Sequence, residues 1–161
     1  MLFVLVVPAH HRRRAVHFDV TEHPTAPWTA QQLNEAFPWD SVPKFLLRDR
    51  DSIYGQTFQR RLHRLGMEQV VTASRSLWQN PFVERLIGSI RRDCLDHVVV
   101  LNDRHMKRIL ASYFGYYHRW RTHLALPMDS PESRRPQAPP GRVVQFPEVG
   151  GLHHHYERMA A

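Results

Sequence analysis

Apolar residues run unbroken from Leu2 to Val7, and a β-rich stretch returns from Arg14 to Val20 after the polar, basic segment His10-His11-Arg12-Arg13-Arg14. That pattern predicts two strands in an antiparallel hairpin or meander, the first of them buried. Pro24 and Pro27 end the strand character. Thr29 is placed to cap a short helix in which Leu33, Ala36 and Phe37 share a face and which Pro38 stops. Lys44–Leu47 reads as a short strand reaching Asp49. From Gly55 the period becomes helical, with Phe58, Leu62 and Leu65 in phase and Gly66 as a left-handed stop. Met67–Thr72 returns to strand. A polar loop, Ala73–Gln79, leads to Asn80-Pro81, where Asn caps and Pro occupies the first turn of a third helix with Phe82, Val83, Leu86, Ile87, Ile90 and Cys94 as its apolar stripe. A fourth helix starts at Asn102-Asp103 and carries Met106, Leu110, Tyr113, Phe114 and Tyr117. Beyond Leu126 prolines recur, and two β-like runs, Val143–Phe146 and Leu152–Tyr156, flank Gly150-Gly151 as a hairpin would.

Strands first, then strand and helix in alternation, predict an α/β protein with helices against a mixed sheet. The expected division is a core over 1–126, a Pro-rich linker over 127–142 and a C-terminal tail with a possible β-hairpin over 143–161. Apolar residues make up 42% of the chain, enough to offset chain entropy, which excludes wholesale disorder. A lone Cys94 excludes an intramolecular disulfide or Cys-rich zinc module and fits a reducing cytoplasm. Leu2–Val7 is too short to cross a membrane, so no membrane partner is expected.

The net charge of +7 points to an anionic partner, nucleic acid first, because Lys and Arg on phosphates release counterions. Of the 22 basic residues only Lys44 and Lys107 are lysine. Guanidinium forks suit phosphate and guanine, although arginine-rich codon usage in a GC-rich genome accounts equally well for that bias. It does not account for the excess charge.

Asp49 falls at the carboxyl end of an expected strand, where open α/β sheets place their ligand sites, and Glu84 follows 34 intervening residues later in the opening turns of a helix. Carboxylates are the ligands that hard divalent cations select, and paired ions promote in-line phosphoryl displacement. At 100° per residue Glu84, Gly88, Arg91 and Leu95 share the side away from the apolar stripe. Two readings fit that side: an ordinary solvated face with a weak Glu–Arg pair, or a carboxylate presented to metal with cations beside it for DNA.

Several ordered segments resemble the integrase core of bacterial insertion-sequence transposases, a DDE-type family related in fold to retroviral integrases. Arg48-Asp49-Arg50-Asp51-Ser52-Ile53-Tyr54 is similar to the family's Ser-Asp-Arg-Gly-Ser-x-Tyr, with Asp51 in place of glycine. Trp78-Gln79-Asn80-Pro81-Phe82-Val83-Glu84 is similar to its Asn-x-x-x-Glu signature, with Arg91 at the basic position seven residues on. Tyr117 to Leu126 resembles the closing Tyr-Asn-x-x-Arg-x-His-x-x-Leu, with His118 in place of Asn. The resemblance covers about Leu2 to Leu126. It implies a ribonuclease-H-like mixed sheet with flanking helices, Mg²⁺ or Mn²⁺ held by Asp49 and Glu84, and DNA integration by phosphoryl transfer on element ends and a target duplex. It also implies a homo-oligomeric complex in a bacterial cytoplasm, associated with the nucleoid. Arg48, Arg50, Trp78, Asn80, Arg85, Arg91 and Arg92 are then the expected DNA-side residues. Only two strands precede the first helix here, so the fold's first strand and its aspartate are expected before Met1, which would leave these residues inactive alone. Asp19 is a poor substitute.

The runner-up is a non-catalytic DNA-binding remnant of a decayed transposase. The histidines lack a His-Glu-x-x-His helix, and His153-His154-His155 reads as a polar strand or loop segment. Trp28, Trp39, Trp78 and Trp120 read mainly as packing residues, Trp78 being the one best placed to stack on a base.

Overall fold

The computed structural model describes residues 1–38, 42–73, 79–135, 137 and 141–159. In chain order these form β1 (Phe3–Pro8), β2 (Ala15–Thr21), α1 (Ala26–Ala36), β3 (Phe45–Arg48), α2 (Gln56–Arg64), β4 (Glu68–Val71), α3 (Pro81–Asp93), α4 (Asp103–Arg119), β5 (Arg142–Glu148) and β6 (His153–Met159). Up to α4 this is the order expected from periodicity. The chain divides into two compact units, Met1–Pro8 with Ala15–Leu86, and Ala9–Arg14 with Ile87–Ala161.

In the first unit β1 and β2 pair antiparallel, Val4 opposite Val20 and Val6 opposite Phe18. β3 and β4 pair parallel, Phe45 opposite Glu68 through Arg48 opposite Val71, joined by α2 as a parallel pair requires. The helix α1 begins a turn earlier than its sequence suggested. Thr25, not Thr29, accepts from the Trp28 N–H, because Pro27 lacks an N–H and fits the first turn. Thr29 is buried and donates its hydroxyl to the Thr25 carbonyl. α2 ends in a Schellman motif: Met67 N–H bonds to Leu62 O, Gly66 N–H to His63 O, and Gly66 takes φ 71°. Ala30, Leu33, Ala36, Phe37, Phe58, Leu62 and Met67 form the core, with Val7, Leu46 and Tyr54 against it. A Cβ on Gly55 would stand 3.3 Å from Ala26 Cβ, so glycine lets the start of α2 approach α1.

Two expectations need correction. None of the six β1 residues is buried, and Phe3 is exposed. Nor is there one mixed sheet among the described residues: β1–β2 and β3–β4 are separate two-stranded ladders. One cause covers both, since among the described residues no strand pairs with the second edge of β1 or of β3, and an apolar strand is buried only by what lies beside and above it.

In the second unit α4 opens on Asn102, whose side chain accepts from His105 N–H at 2.8 Å, and buries Met106, Leu110, Tyr113, Phe114 and Tyr117 as its period predicted. β5 and β6 make the expected antiparallel hairpin through Val149–Gly151. His153 stacks on Tyr116 at 4.4 Å and His155 on Trp120 at 3.8 Å, so the histidine run packs the hairpin on the end of α4. The basic segment 9–14 is equally engaged. Arg12 donates to Asp129 Oδ2, the Ser130 carbonyl and the Pro131 carbonyl at 2.7–2.9 Å.

Exposed strand edges with apolar side chains template association with other chains. Residues 1–161 should therefore form soluble aggregates whose size grows with concentration, and Phe3→Lys with Phe45→Lys should suppress them in light scattering; a monodisperse parent would refute this. Phe58→Ala, at a site 1% exposed, should cost about 3–5 kcal/mol in urea unfolding.

Candidate functional site

Asp49 directly follows β3 and is exposed. Its Oδ1 accepts from Asp51 N–H at 3.2 Å, while Asp51 Oδ1 accepts from Ile53 N–H at 3.1 Å, so two Asx turns shape the segment. Arg48 donates through Nε and Nη2 to Gln69 Oε1 and lies 5.3 Å over the Tyr54 ring. Burial, then Asp49 and Asp51, push the Tyr54 hydroxyl up to about 12. Arg50 donates to the Thr72 carbonyl at 3.1 Å.

Glu84 is exposed in the first turn of α3, as the helical wheel required. The segment before it returns to β4, because Ala73 N–H donates to Gln79 Oε1 at 2.7 Å. The Asp49 segment and the lead-in to Glu84 are thus both tied to the carboxyl end of one strand, at Thr72 and Ala73. Asn80 behaves only partly as expected. Its carbonyl accepts from Glu84 N–H, but its side-chain Oδ1 is buried without a partner among the described residues, so no side-chain cap forms. Of the apolar stripe, Leu86, Ile90 and Cys94 are buried, whereas Phe82 and Ile87 are exposed.

Arg85, Arg91 and Arg92 are all exposed, and the Arg92 guanidinium covers Gly88, where a Cβ would stand 2.9 Å from Nη1. Arg91 and Arg92 belong to the second unit and Glu84 to the first. Trp78, with Trp39, lies outside the described residues. Asp19 sits within β2 opposite Leu5. Among the described residues no group of three His, Cys, Asp or Glu side chains could hold a metal ion. Asp49, Glu84 and the orphaned Asn80 Oδ1 are nonetheless oxygen donors, the chemistry that Mg²⁺ and Mn²⁺ select.

The second unit holds a polar cluster that sequence reasoning missed. Arg121 Nε donates to Asp93 Oδ2 at 3.0 Å and Nη2 to Ser89 Oγ at 3.3 Å, Tyr113 donates its hydroxyl to Asp93 at 3.3 Å, and His153 Nε2 meets the Asp93 carbonyl oxygen at 2.6 Å. His123 Nδ1 lies 3.3 Å from Arg121 Nη1, its ring edge-on to Tyr117, while Nε2 is buried and has no hydrogen-bond partner among the described residues. Arg121 and His123 fall in the Tyr117–Leu126 segment, which was the signal available. Their surroundings make them structural clamps on α3 and α4.

Residues 65–131 match a family described as an integrase core domain, a span that takes in Glu84 and Tyr117–Leu126. No curated protein matches the chain in sequence. The fold is similar to a chain in the solved structure of a simian T-cell lymphotropic virus intasome in complex with PP2A regulatory subunit B56 gamma, with a TM-score of 0.63 and 14% identity over 93% of this chain. This chain spans 58% of that one. Both findings agree with a resemblance to the retroviral-integrase-like superfamily. No helix among the described residues is long and apolar enough to cross a membrane.

Burial, then Arg121 and Arg13, lower the His123 pKa from its usual 6.5 to about 4, and burial lowers His118 as well. The unfolded chain takes up these protons near pH 6.5 and the fold resists them. That stability is present above pH 6.5 and lost as pH falls towards 4. Urea midpoints should fall across this window and His123→Leu should flatten the slope; an unchanged slope would exclude His123 as its source.

Proposed function

We propose that this chain carries a ribonuclease-H-like integrase core of the insertion-sequence transposase type, acting on DNA by metal-dependent phosphoryl transfer, with Asp49 and Glu84 as its carboxylate ligands. The observation that carries the reading is the shared anchoring of both acidic segments at the end of β4, through Arg50 to Thr72 and Gln79 to Ala73. The integrase-core match over residues 65–131 and the fold likeness support it. In an α/β arrangement that end of a strand is where ligands bind.

Asp49 and Glu84 would hold the divalent ions, with Asn80 Oδ1 as a further oxygen donor. Bound there, such ions lower the charge barrier to attack of a 3′-hydroxyl on a phosphodiester. The protein's own part is positioning. Arg50 and the Asx turns fix the Asp49 backbone, and the Asn80 carbonyl starts the helix that presents Glu84. Arg48, Arg85, Arg91 and Arg92, with Trp78, supply the DNA-side contacts, and a homo-oligomer would bring two element ends together.

A second reading, a non-catalytic DNA-binding chain, is favoured by the lack of a three-carboxylate group among the described residues. Manganese binding separates the two. Mn²⁺ should bind the chain, and Asp49→Asn or Glu84→Gln should each weaken it about tenfold or more; equal affinity in parent and variants would sink the catalytic reading. Duplex affinity should fall roughly a hundredfold between 50 and 200 mM salt for about four phosphate contacts. A flat salt dependence would remove DNA as the partner in both readings.

A further inference from the structure

An open groove of about 710 Å³ lies in the second unit, between the segment after α4 and the β5–β6 hairpin, and neither Asp49 nor Glu84 lines it. Arg134, Arg135 and Arg158 line it, with the rings of Trp120 and Tyr156. Its acidic side chains are already engaged. The Ser133 side chain, then Arg12 at 2.7 Å and the Ser130 and Arg134 N–H groups, hold the Asp129 carboxyl well below the usual range, and Glu157 lies 3.5 Å from His155. The arginines therefore set the sign of the groove.

Its rings differ in availability. Trp120 is stacked by His155 at 3.8 Å and carries the Arg134 guanidinium 5.0 Å from its centroid, whereas Tyr156 is 59% exposed. Tyr156 and Arg158, two residues apart on β6, share the hairpin face that also carries exposed Val143. Arginine forks grip phosphate oxygens and an open ring stacks on any base, the pairing that tracks a single strand without reading its sequence. The volume suits one or two nucleotides and is too small for a duplex.

We infer that this groove binds a single nucleic-acid strand, with phosphates on Arg134, Arg135 and Arg158 and an unstacked base on Tyr156. The inference shares with the preceding reading only the class of partner. An acidic peptide would use the arginines and gain little from the ring, so the two occupants are separable.

The test is fluorescence anisotropy of the full chain with a labelled short oligothymidylate in EDTA. Arg134→Ala with Arg135→Ala should weaken binding about tenfold or more and lower the slope of log affinity against log salt by about 1.4, at ~0.7 per phosphate contact. Tyr156→Ala should also weaken it about tenfold, with Tyr156→Phe close to the parent. The three side chains changed here are absent from the proposed metal site, so manganese binding by the same variants should be unchanged. Parent-like affinity in both alanine variants, an abasic strand binding as tightly as oligothymidylate, or equal competition by polyglutamate would each overturn the proposal. Failure of manganese binding alone would overturn the catalytic reading and leave this result standing.

Discussion

A carboxylate withdrawn from water needs a cation and hydrogen-bond donors, and the second unit is organised around meeting that need for Asp93. Asp93 and Arg121 are each about a quarter exposed, so neither is fully hydrated nor fully dry. Asp93 closes α3, Tyr113 reaches it from α4, Arg121 from the turn beyond, and His153 from β6 meets its backbone oxygen. Groups from α4, the turn after it and β6 thus converge on one residue at the end of α3. The strong upward push on the Tyr113 hydroxyl, from burial and then from Asp93, expresses the same fact. Loss of Arg121 would leave a poorly solvated anion at the centre, which costs more than the pair itself contributes.

The first unit has the opposite problem. Its core is closed by α1 and α2 around Phe58 and Leu62, yet among the described residues its strands make two ladders, each strand pairing on one edge only. Helix packing secures the layer beneath, while the sheet layer is only as well covered as its hydrogen-bond partners allow. The tethers at Thr72 and Ala73 belong to this layer, so the order of the candidate site depends on how well β4 is held.

Element order was legible because periodicity changes sharply at Gly55, Met67 and Pro81, and because Gly55, Asn102 and Gly66 sit where helix ends need them, whereas the cap of α1 was read at Thr29 and lies a turn earlier, at Thr25. The exposure of Glu84 followed from the wheel alone. The exposure of β1 did not, since periodicity reports what a residue is and not what covers it. Asn80 looked like a cap by residue type, but its Oδ1 meets no donor among the described residues. The Asp93 cluster escaped because its partners lie 20 to 60 positions from Asp93 and only the Arg121–His123 pair sits in a recognisable segment. Histidines 153 and 155 read as a polar run because stacking on Tyr116 and Trp120 leaves no trace in local pattern.

Arg12 and Arg13 both take positive φ, 52° and 56°, an arrangement that side-chain-bearing residues adopt only at some cost. What holds it is Arg12's grip on residues 129–131, more than a hundred positions away. The bend between β1 and β2 is therefore a poor nucleus. A tight turn that forms early needs only its neighbours, whereas this one needs most of the chain to have been synthesised and gathered. The order of events during folding should then run from the strands inward, their pairing zipping first and the arginine bend locking late, with the last third of the polypeptide as its latch.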